Sequence, residues 1–232
     1  MNSRGRDGRV DAGVIDHMLR QRACRAYAGD PVSDGDLEAM LRAATHAPSA
    51  ENRQPWVFVV VRRAATRWAI DELTRRVWTG GGRRHAQRAL QARFFTAVDT
   101  FVDRGYGGAP VLLVVAGDGR DGAPEALLAS SVFPAIQNLL LAAAALGYGS
   151  STTTLAAQAP DALAEIVGLP EGVRPFAVVP IGRPATPLGL PRRRPVREVA
   201  HLDAFGTPFG PVTSSPGGDE PVGPPRPAPP PA

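Results

Sequence analysis

The segment that most restricts the fold of this chain is residues 126–149, which contain no charged side chain. A helix of this length could cross a bilayer. The lack of aromatic residues at both ends argues against a membrane span. So do five residues within the segment, Ser130, Ser131, Pro134, Gln137 and Asn138. We therefore predict no membrane span, but a helix buried on all sides within a homodimer, because its apolar faces need more partners than one subunit supplies.

The charge and cysteine content exclude several classes of protein. All 26 basic residues are arginine, the formal net charge is +4, and charges of both signs are interspersed, so we do not expect nucleic-acid binding. The single cysteine, Cys24, rules out an intrachain disulfide, and we expect it to be a small buried residue. The four histidines lack metal-ligand spacing, so no metal site is predicted. The first residues lack the apolar stretch of a signal peptide, which predicts a cytoplasmic protein.

The two ends of the chain differ in composition from its middle. Residues 1–10 are polar and rich in glycine and arginine, and we expect them to be flexible. Residues 211–232 contain nine prolines and three glycines. Such a segment buries too little apolar surface to offset the entropy lost on ordering, so we predict a disordered tail. Residues 11–210 are then a single domain.

The pattern between the ends mixes helices with a few strands. Helices are predicted over residues 14–22, 34–46, 63–77, 84–102, 126–149 and 160–167, with residues 80–82 breaking the third from the fourth. Ser33 is placed to cap the second helix, with Asp36 in a capping-box role. Buried strands are predicted over 57–61, 111–116 and 175–181. This order lacks a regular βαβ alternation, so it indicates an α+β fold rather than a Rossmann sheet.

A polar loop at residues 47–56, Ala-Pro-Ser-Ala-Glu-Asn-Arg-Gln-Pro-Trp, joins a capped helix to a buried strand. Loops at such junctions carry function because a rigid scaffold positions them. Asn52 and Gln54 each offer donors and acceptors, the mixture that the pyrimidine edge of a flavin needs. A polar turn before a proline is the alternative interpretation.

Two arginine-containing segments could bind phosphate. Arg22 and Arg25 lie three residues apart near the end of the first predicted helix, and the guanidinium fork suits phosphate oxygens. Residues 192–194 are three consecutive arginines in a Pro-rich stretch. In a chain with so many arginines, exposed basic patches are the alternative for both segments.

A run of small hydroxyl residues, 151–154, follows the glycine-containing exit of the long helix. Its backbone N–H groups could donate to a flavin and stabilise the charge of its reduced form. An ordinary helix cap running into a strand is the alternative. Trp68 and Trp78 lie on a predicted helix and are expected to be packing residues.

These stretches, in this order and spacing from about residue 14 to 205, resemble the nitroreductase superfamily of flavoproteins. The 47–56 motif followed by an apolar strand is the most specific part, and residues 133–147 look like the central dimer helix of the family. The phosphate motif Arg-Arg-Ser-x-Arg of the family reads Gln-Arg-Ala-Cys-Arg at 21–25, so a hydroxyl donor is missing and FMN affinity is expected to be weaker. The related flavin-destroying enzymes lack the asparagine that stands here as Asn52, so we do not expect that activity.

The resemblance implies a nitroreductase-like fold: a central, mainly antiparallel sheet flanked by helices, a long dimer-interface helix and a C-terminal extension onto the partner. It implies an FMN-binding site with residues from three parts of the chain. Arg22, Arg25 and Arg193 would bind the phosphate, with Ala23 at the same motif, and Ser49 and Asn52 would lie near the ribityl chain and ring. The stretch that passes over the flavin would consist of Thr152, Thr153 and Thr154. One of its backbone N–H groups would face flavin N5.

The implied activity is a ping-pong transfer of hydride from NADH or NADPH through FMN to a small organic acceptor such as a nitroaromatic or a quinone. No side chain is required as an acid or base, so no catalytic residue is assigned. Acceptor choice would come from residues 78–106. The candidate pocket residues in this region are Phe94, Phe95, Phe101 and Tyr106. Alternatively, the three phenylalanines form one face of a helix. A non-catalytic flavin-binding sensor and a biosynthetic flavin dehydrogenase are the alternatives.

Overall fold

The structure of the protein, a computed structural model, describes residues 12–210 of the 232. The described chain divides into two units, residues 12–191 and residues 192–210. The expected flexible N-terminus and Pro-rich tail lie outside the described residues, and the single domain over residues 11–210 stays a prediction.

A four-stranded antiparallel sheet forms the centre of the first unit. Its strands are β1 (Trp56–Val61), β2 (Val111–Asp118), β3 (Gly149–Ser150) and β4 (Val173–Gly182), in the spatial order β1-β2-β4-β3. The three predicted strands and the α+β class are confirmed. β3 was not predicted because two residues are too few to show a strand period.

Helices cover both faces of the sheet, which is why β2 and β4 are apolar without alternation. The helices are α1 (Ala12–Arg20), α2 (Asp34–Ala44), α3 (Ala64–Val77), α4 (Arg83–Ala89), α5 (Ala92–Asp103), α6 (Glu125–Ala145) and α7 (Pro160–Val167). α6 and α2 share one core with Leu113 of the sheet. α3, α5 and α7 share the other core with Leu112, because successive strand residues point to opposite faces.

The long helix α6 is apolar enough by length and composition to cross a membrane, but it packs against α2 and the sheet. Core residues such as Val132 and Leu139 are fully buried, while Phe133 is 41% exposed. Among residues 12–210, 44% of the most apolar stretch of α6 is buried, so part of the helix surface is open to solvent.

Two local predictions differ from the structure, and a third, the glycine break, is confirmed. The helix expected over residues 84–102 is two helices, α4 and α5, because Leu90 adopts an extended conformation that turns its side chain into the core. The glycines at 80–82 break the helical path, as predicted: they lie in a π-helical turn, Trp78–Gly82, in which Gly81 has non-helical backbone angles (φ 161°, ψ −29°) between α3 and α4. Trp78 is buried as expected, but Trp68 is 65% exposed, so its assignment as a packing residue was wrong.

The Ser33 cap of α2 is confirmed, but among the described residues Asp36 does not accept the Ser33 backbone N–H as a capping box requires. The Ser33 hydroxyl accepts the backbone N–H of Asp36 at 3.1 Å and donates to the Asp36 carboxylate at 2.8 Å. This reciprocal arrangement satisfies an N–H that the first turn of a helix leaves without a partner. Asp36 also accepts a hydrogen bond from Tyr148, which attaches the start of α2 to the end of α6.

Candidate FMN site

The structure brings the first arginine segment directly beside the threonine run. The N–H of Cys24 donates to the carbonyl of Ser150 at 3.0 Å, and Ala23 pairs with Ser150 in a parallel bridge. A Cβ at Gly149 would lie 2.6 Å from Cys24 Sγ, so the two segments approach closely only because residue 149 is a glycine. Cys24 is buried, as predicted. Burial also raises the pKa of the Cys24 thiol.

The other side of the arginine segment is held by a glycine turn. Gly107 has φ +66°, and a Cβ there would come within 2.2 Å of the Arg25 carbonyl. Its own carbonyl accepts the N–H of Tyr27 at 3.0 Å. The Tyr27 hydroxyl, which is buried, donates to the Cys24 carbonyl at 2.8 Å. These contacts fix the backbone of residues 23–27 from both sides.

A cavity of about 590 Å³ opens next to these segments. This volume is within the usual range for small-molecule sites. Arg25 and residues 151–155 line one wall. The apolar part of the lining comes from the end of α3, the π-helical turn, α4, α5 and the residues that join them, through the side chains of Val77, Trp78, Ala86, Leu90, Val98 and Phe101. An apolar wall facing hydroxyls and a cation suits a flat aromatic ligand with an anionic group.

Arg25 is a partly buried cation with no matching anion. Its guanidinium lies 4.7 Å from the centre of the Phe94 ring, and no carboxylate of residues 12–210 forms an ion pair with it. Burial lowers its pKa, since desolvation disfavours the charged form. A partly buried charge without a partner is costly, so a bound phosphate would relieve this cost. Arg22 is exposed and donates to the Gly189 carbonyl at 2.9 Å.

The threonine run lines the cavity, and one of its residues, Thr153, also pairs with the sheet. The N–H of Thr153 donates to the Val178 carbonyl at 3.0 Å and is therefore occupied. In the part of the chain that the structure describes, the N–H groups of Thr152 and Thr154 form no hydrogen bond. Successive residues of an extended chain point in opposite directions. Thr152 and Thr154 are therefore the candidates for a backbone donor to a flavin.

The loop containing Ser49 and Asn52 has an unusual backbone. Glu51, Asn52 and Gln54 all have φ between +52° and +54°, a conformation that non-glycine residues rarely adopt. Ser49 Oγ accepts the N–H of Gln54 at 3.0 Å, and Asn52 Oδ1 accepts from the Gln54 side-chain amide at 3.0 Å. The Ala50 N–H donates to Ser131 on α6. Strain of this kind persists where surrounding contacts impose it, and it is often found at functional sites.

Within one chain, Ser49 and Asn52 do not reach the cavity. They precede β1 at one edge of the sheet, in a loop that Ala50 attaches to α6, whereas the threonine run follows β3 at the opposite edge. Three strand spacings, roughly 14 Å, separate these edges. The predicted FMN-binding residues thus form two separate groups. Arg193 belongs to residues 192–210, is exposed, and donates to the Arg192 carbonyl at 3.0 Å.

Other predicted positions have mixed outcomes. Phe101 and Tyr106 are buried and contact each other edge to face at 5.4 Å, and only Phe101 lines the cavity. Phe95 is partly buried and Phe94 is 42% exposed. His85 and Gln158 also line the cavity and were not predicted, although His85 lies within the region expected to control acceptor choice. Residues 12–210 contain no cluster of three or more potential metal ligands.

The fold and the cavity define an α+β protein with a cavity that suits an anionic, aromatic ligand and a strained polar loop at the opposite edge of the sheet, and comparison with known proteins makes the class specific. The Nitroreductase family model matches residues 18–183. An Archaeoglobus fulgidus protein named NADH dehydrogenase/NAD(P)H nitroreductase is 30% identical over 169 residues, 72% of this chain and 83% of that protein. The oxygen-insensitive NADPH nitroreductase of Salmonella typhimurium is 28% identical over 194 residues, 83% of this chain and 74% of that enzyme.

Solved structures agree with this assignment. A Desulfovibrio desulfuricans protein described as a nitroreductase, in complex with FMN, superposes with a TM-score of 0.67 at 25% identity, covering 84% of this chain and 99% of that one. The chain therefore belongs to the nitroreductase family, and the predicted fold is confirmed.

Proposed function

We propose that this protein is an FMN-dependent oxidoreductase that takes hydride from NADH or NADPH and delivers it to a small organic acceptor. The observation that carries the proposal is Arg25, a partly buried cation without a carboxylate partner in residues 12–210, which shares a cavity with the free N–H groups of Thr152 and Thr154. The names of the relatives, which include NAD(P)H nitroreductases, and the FMN-bound neighbour support the choice of donor and cofactor.

Each group of residues has a distinct role in this proposal. Arg22, Arg25 and Arg193 hold the FMN phosphate, and Ala23 keeps the arginines beside β3 through its bridge to Ser150. The N–H groups of Thr152 and Thr154 face the ring and stabilise negative charge on it. Ser49 and Asn52 contact the ribityl chain and the ring edge.

The chemistry belongs to the cofactor. Bound FMN supplies hydride transfer in two half-reactions, first from the nicotinamide and then to an acceptor such as a nitroaromatic or a quinone, which is a ping-pong cycle. The protein binds and orients: the apolar wall excludes water above the ring, and the two N–H groups supply fixed dipoles. No side chain is assigned as a general acid or base.

The two separate groups of FMN-binding residues lead to a homodimer with shared sites. One copy would contribute Arg25 and the threonine run, and the other Ser49 and Asn52. Exposed apolar residues within the described part of the chain support this arrangement: on α1, Val14, Ile15, Met18 and Leu19 are 49–63% exposed, and on α6 Phe133 is exposed. The C-terminal extension onto the partner and the cytoplasmic location stay predictions.

The first test is spectroscopic. The purified protein should carry the visible absorbance of oxidised flavin, or acquire it with added FMN, and anaerobic NADH or NADPH should bleach it. A subsequent quinone should restore the absorbance, without the nicotinamide present, if the cycle is ping-pong. A protein that does not bind FMN would refute the proposal, and FMN that stays oxidised with both donors would indicate a flavin-binding protein.

A mixing experiment tests the shared site. Arg25→Ala and Asn52→Ala should each lose activity as homodimers. Coexpression gives heterodimers in which one site carries both changes and the other site carries neither. If the chains pair at random, about a quarter of wild-type activity should therefore return. If both groups acted within one chain, no mixture would restore activity. Coexpression of Arg25→Ala with a second Arg25→Ala chain is the control.

A further inference from the structure

The cavity contains a second ionisable side chain, His85, that the FMN proposal does not use. It lies on α4 and lines the same cavity as the threonine run, and Arg25 and His85 are the two ionisable residues in the cavity lining. The His85 imidazole is exposed and forms no hydrogen bond or ion pair with any of residues 12–210. Its donor and acceptor nitrogens are therefore available to a ligand.

The protein fixes the position of α4. Asp99 on α5 accepts the indole N–H of Trp78 at 2.8 Å and two hydrogen bonds from the Arg83 guanidinium at 2.8 and 2.9 Å. Trp78 and Arg83 lie at the two ends of the π-helical turn, so one carboxylate holds both ends. His85, two residues after Arg83, is thereby held at the cavity wall, as a residue that selects ligands must be.

The remainder of the lining indicates the kind of ligand. Leu90, Val98 and Phe101 give a flat apolar surface, while the lining contains no carboxylate. A cationic ligand would lose its hydration without gaining a partner, whereas an oxygen anion or carbonyl at the edge of a ring could accept a hydrogen bond from His85. Arg25 does not compete for this role if the FMN phosphate neutralises it.

We infer that His85 is a specificity-determining residue that recognises the acceptor and favours flat aromatic molecules with an anionic or carbonyl oxygen over cationic ones. This inference rests on the proposed function, because it places the acceptor between the flavin and α4. It names the substrate class as oxygen-rich aromatics, quinones and aromatic oxyanions among them.

The experiment measures binding rather than turnover. Oxidised, FMN-loaded protein is titrated by calorimetry with three probes of similar size that cannot be reduced by flavin: benzenesulfonate, benzamide and phenyltrimethylammonium. Wild-type protein should bind benzenesulfonate most tightly and phenyltrimethylammonium most weakly. In His85→Glu, benzenesulfonate affinity should fall about tenfold and the preference for the anion over the cation should reverse. His85→Gln should keep benzamide binding and lose part of the preference for the anion.

Arg84→Glu is the matched control, because it changes the charge of the neighbouring exposed residue, which does not line the cavity. It should keep the wild-type order of affinities. An unchanged order in FMN-loaded His85→Glu, or an equal shift in Arg84→Glu, would overturn the inference. Failure of the proposed function would be distinguishable, since wild-type protein would then not bind FMN at all.

Discussion

A buried hydrogen bond between Thr74 and Tyr106 offers a quantitative test of how the cavity wall is supported. The Thr74 and Tyr106 side chains are 2% and 1% exposed, and their hydroxyl oxygens lie 2.6 Å apart. Thr74 donates its own proton to the Ile70 carbonyl at 2.8 Å, so Tyr106 must be the donor to Thr74. The ring of Tyr106 in turn packs edge to face against Phe101, which lines the cavity.

The expected costs follow from which groups lose their partners. Thr74→Val leaves the buried Tyr106 hydroxyl without an acceptor, and this should lower the free energy of unfolding by about 1–3 kcal/mol. Tyr106→Phe removes the donor while Thr74 keeps its bond to Ile70, so its cost should be about 0.5–1.5 kcal/mol. In the double variant no polar group is stranded, and the combined cost should be smaller than the sum by about 1 kcal/mol.

The assay is urea unfolding of the four proteins of this cycle at one protein concentration and one FMN concentration, because both ligand and subunit association shift apparent stability. Thermal midpoints should fall by about 2–4 °C for each kcal/mol lost. Strictly additive costs, or a Thr74→Val variant as stable as wild type, would refute the reasoning. Either result would mean that Tyr106 finds another acceptor.

Three further predictions concern separate parts of the site and its support. Gly149→Ala should destabilise the protein by about 1–3 kcal/mol and weaken FMN binding, because the new Cβ would meet Cys24 Sγ at 2.6 Å; unchanged FMN affinity in a fluorescence titration would contradict this. Burial raises the pKa of Asp71 to about 6, so its protonated form is favoured in the folded state and wild-type stability should decrease as the pH rises from about 4 to 6. Asp71→Asn should abolish that decrease, as urea unfolding below and above this range will show. Ser131→Ala leaves the Ala50 N–H without its acceptor at 3.1 Å and should cost about 1 kcal/mol while raising the FMN dissociation constant.

The local predictions that succeeded depend on patterns within a few neighbouring residues. The strands at 57–61, 111–116 and 175–181 are short apolar runs bounded by turn residues, and the cap at Ser33 depends on a residue three positions away. The break at Leu90 has no such local signal, since an extended leucine between two helical stretches is stabilised by the core it enters. The prediction that Trp68 is a packing residue was wrong for the same reason. Its helix was predicted correctly, but the face of the helix that is buried depends on how other elements pack against it.

The sequence by itself determined the family and the α+β class, because motifs and apolar periodicity are properties of short segments, and the residues of the FMN site stay a prediction from the same motifs. Only the tertiary structure decided which of those residues meet. Cys24 and Ser150 pair across 126 positions because a glycine at 149 permits the contact, and β1 and β3 occupy opposite edges of one sheet. That strand order separates Asn52 from Thr152 within a chain, since contacts between distant segments follow from packing rather than from spacing along the sequence.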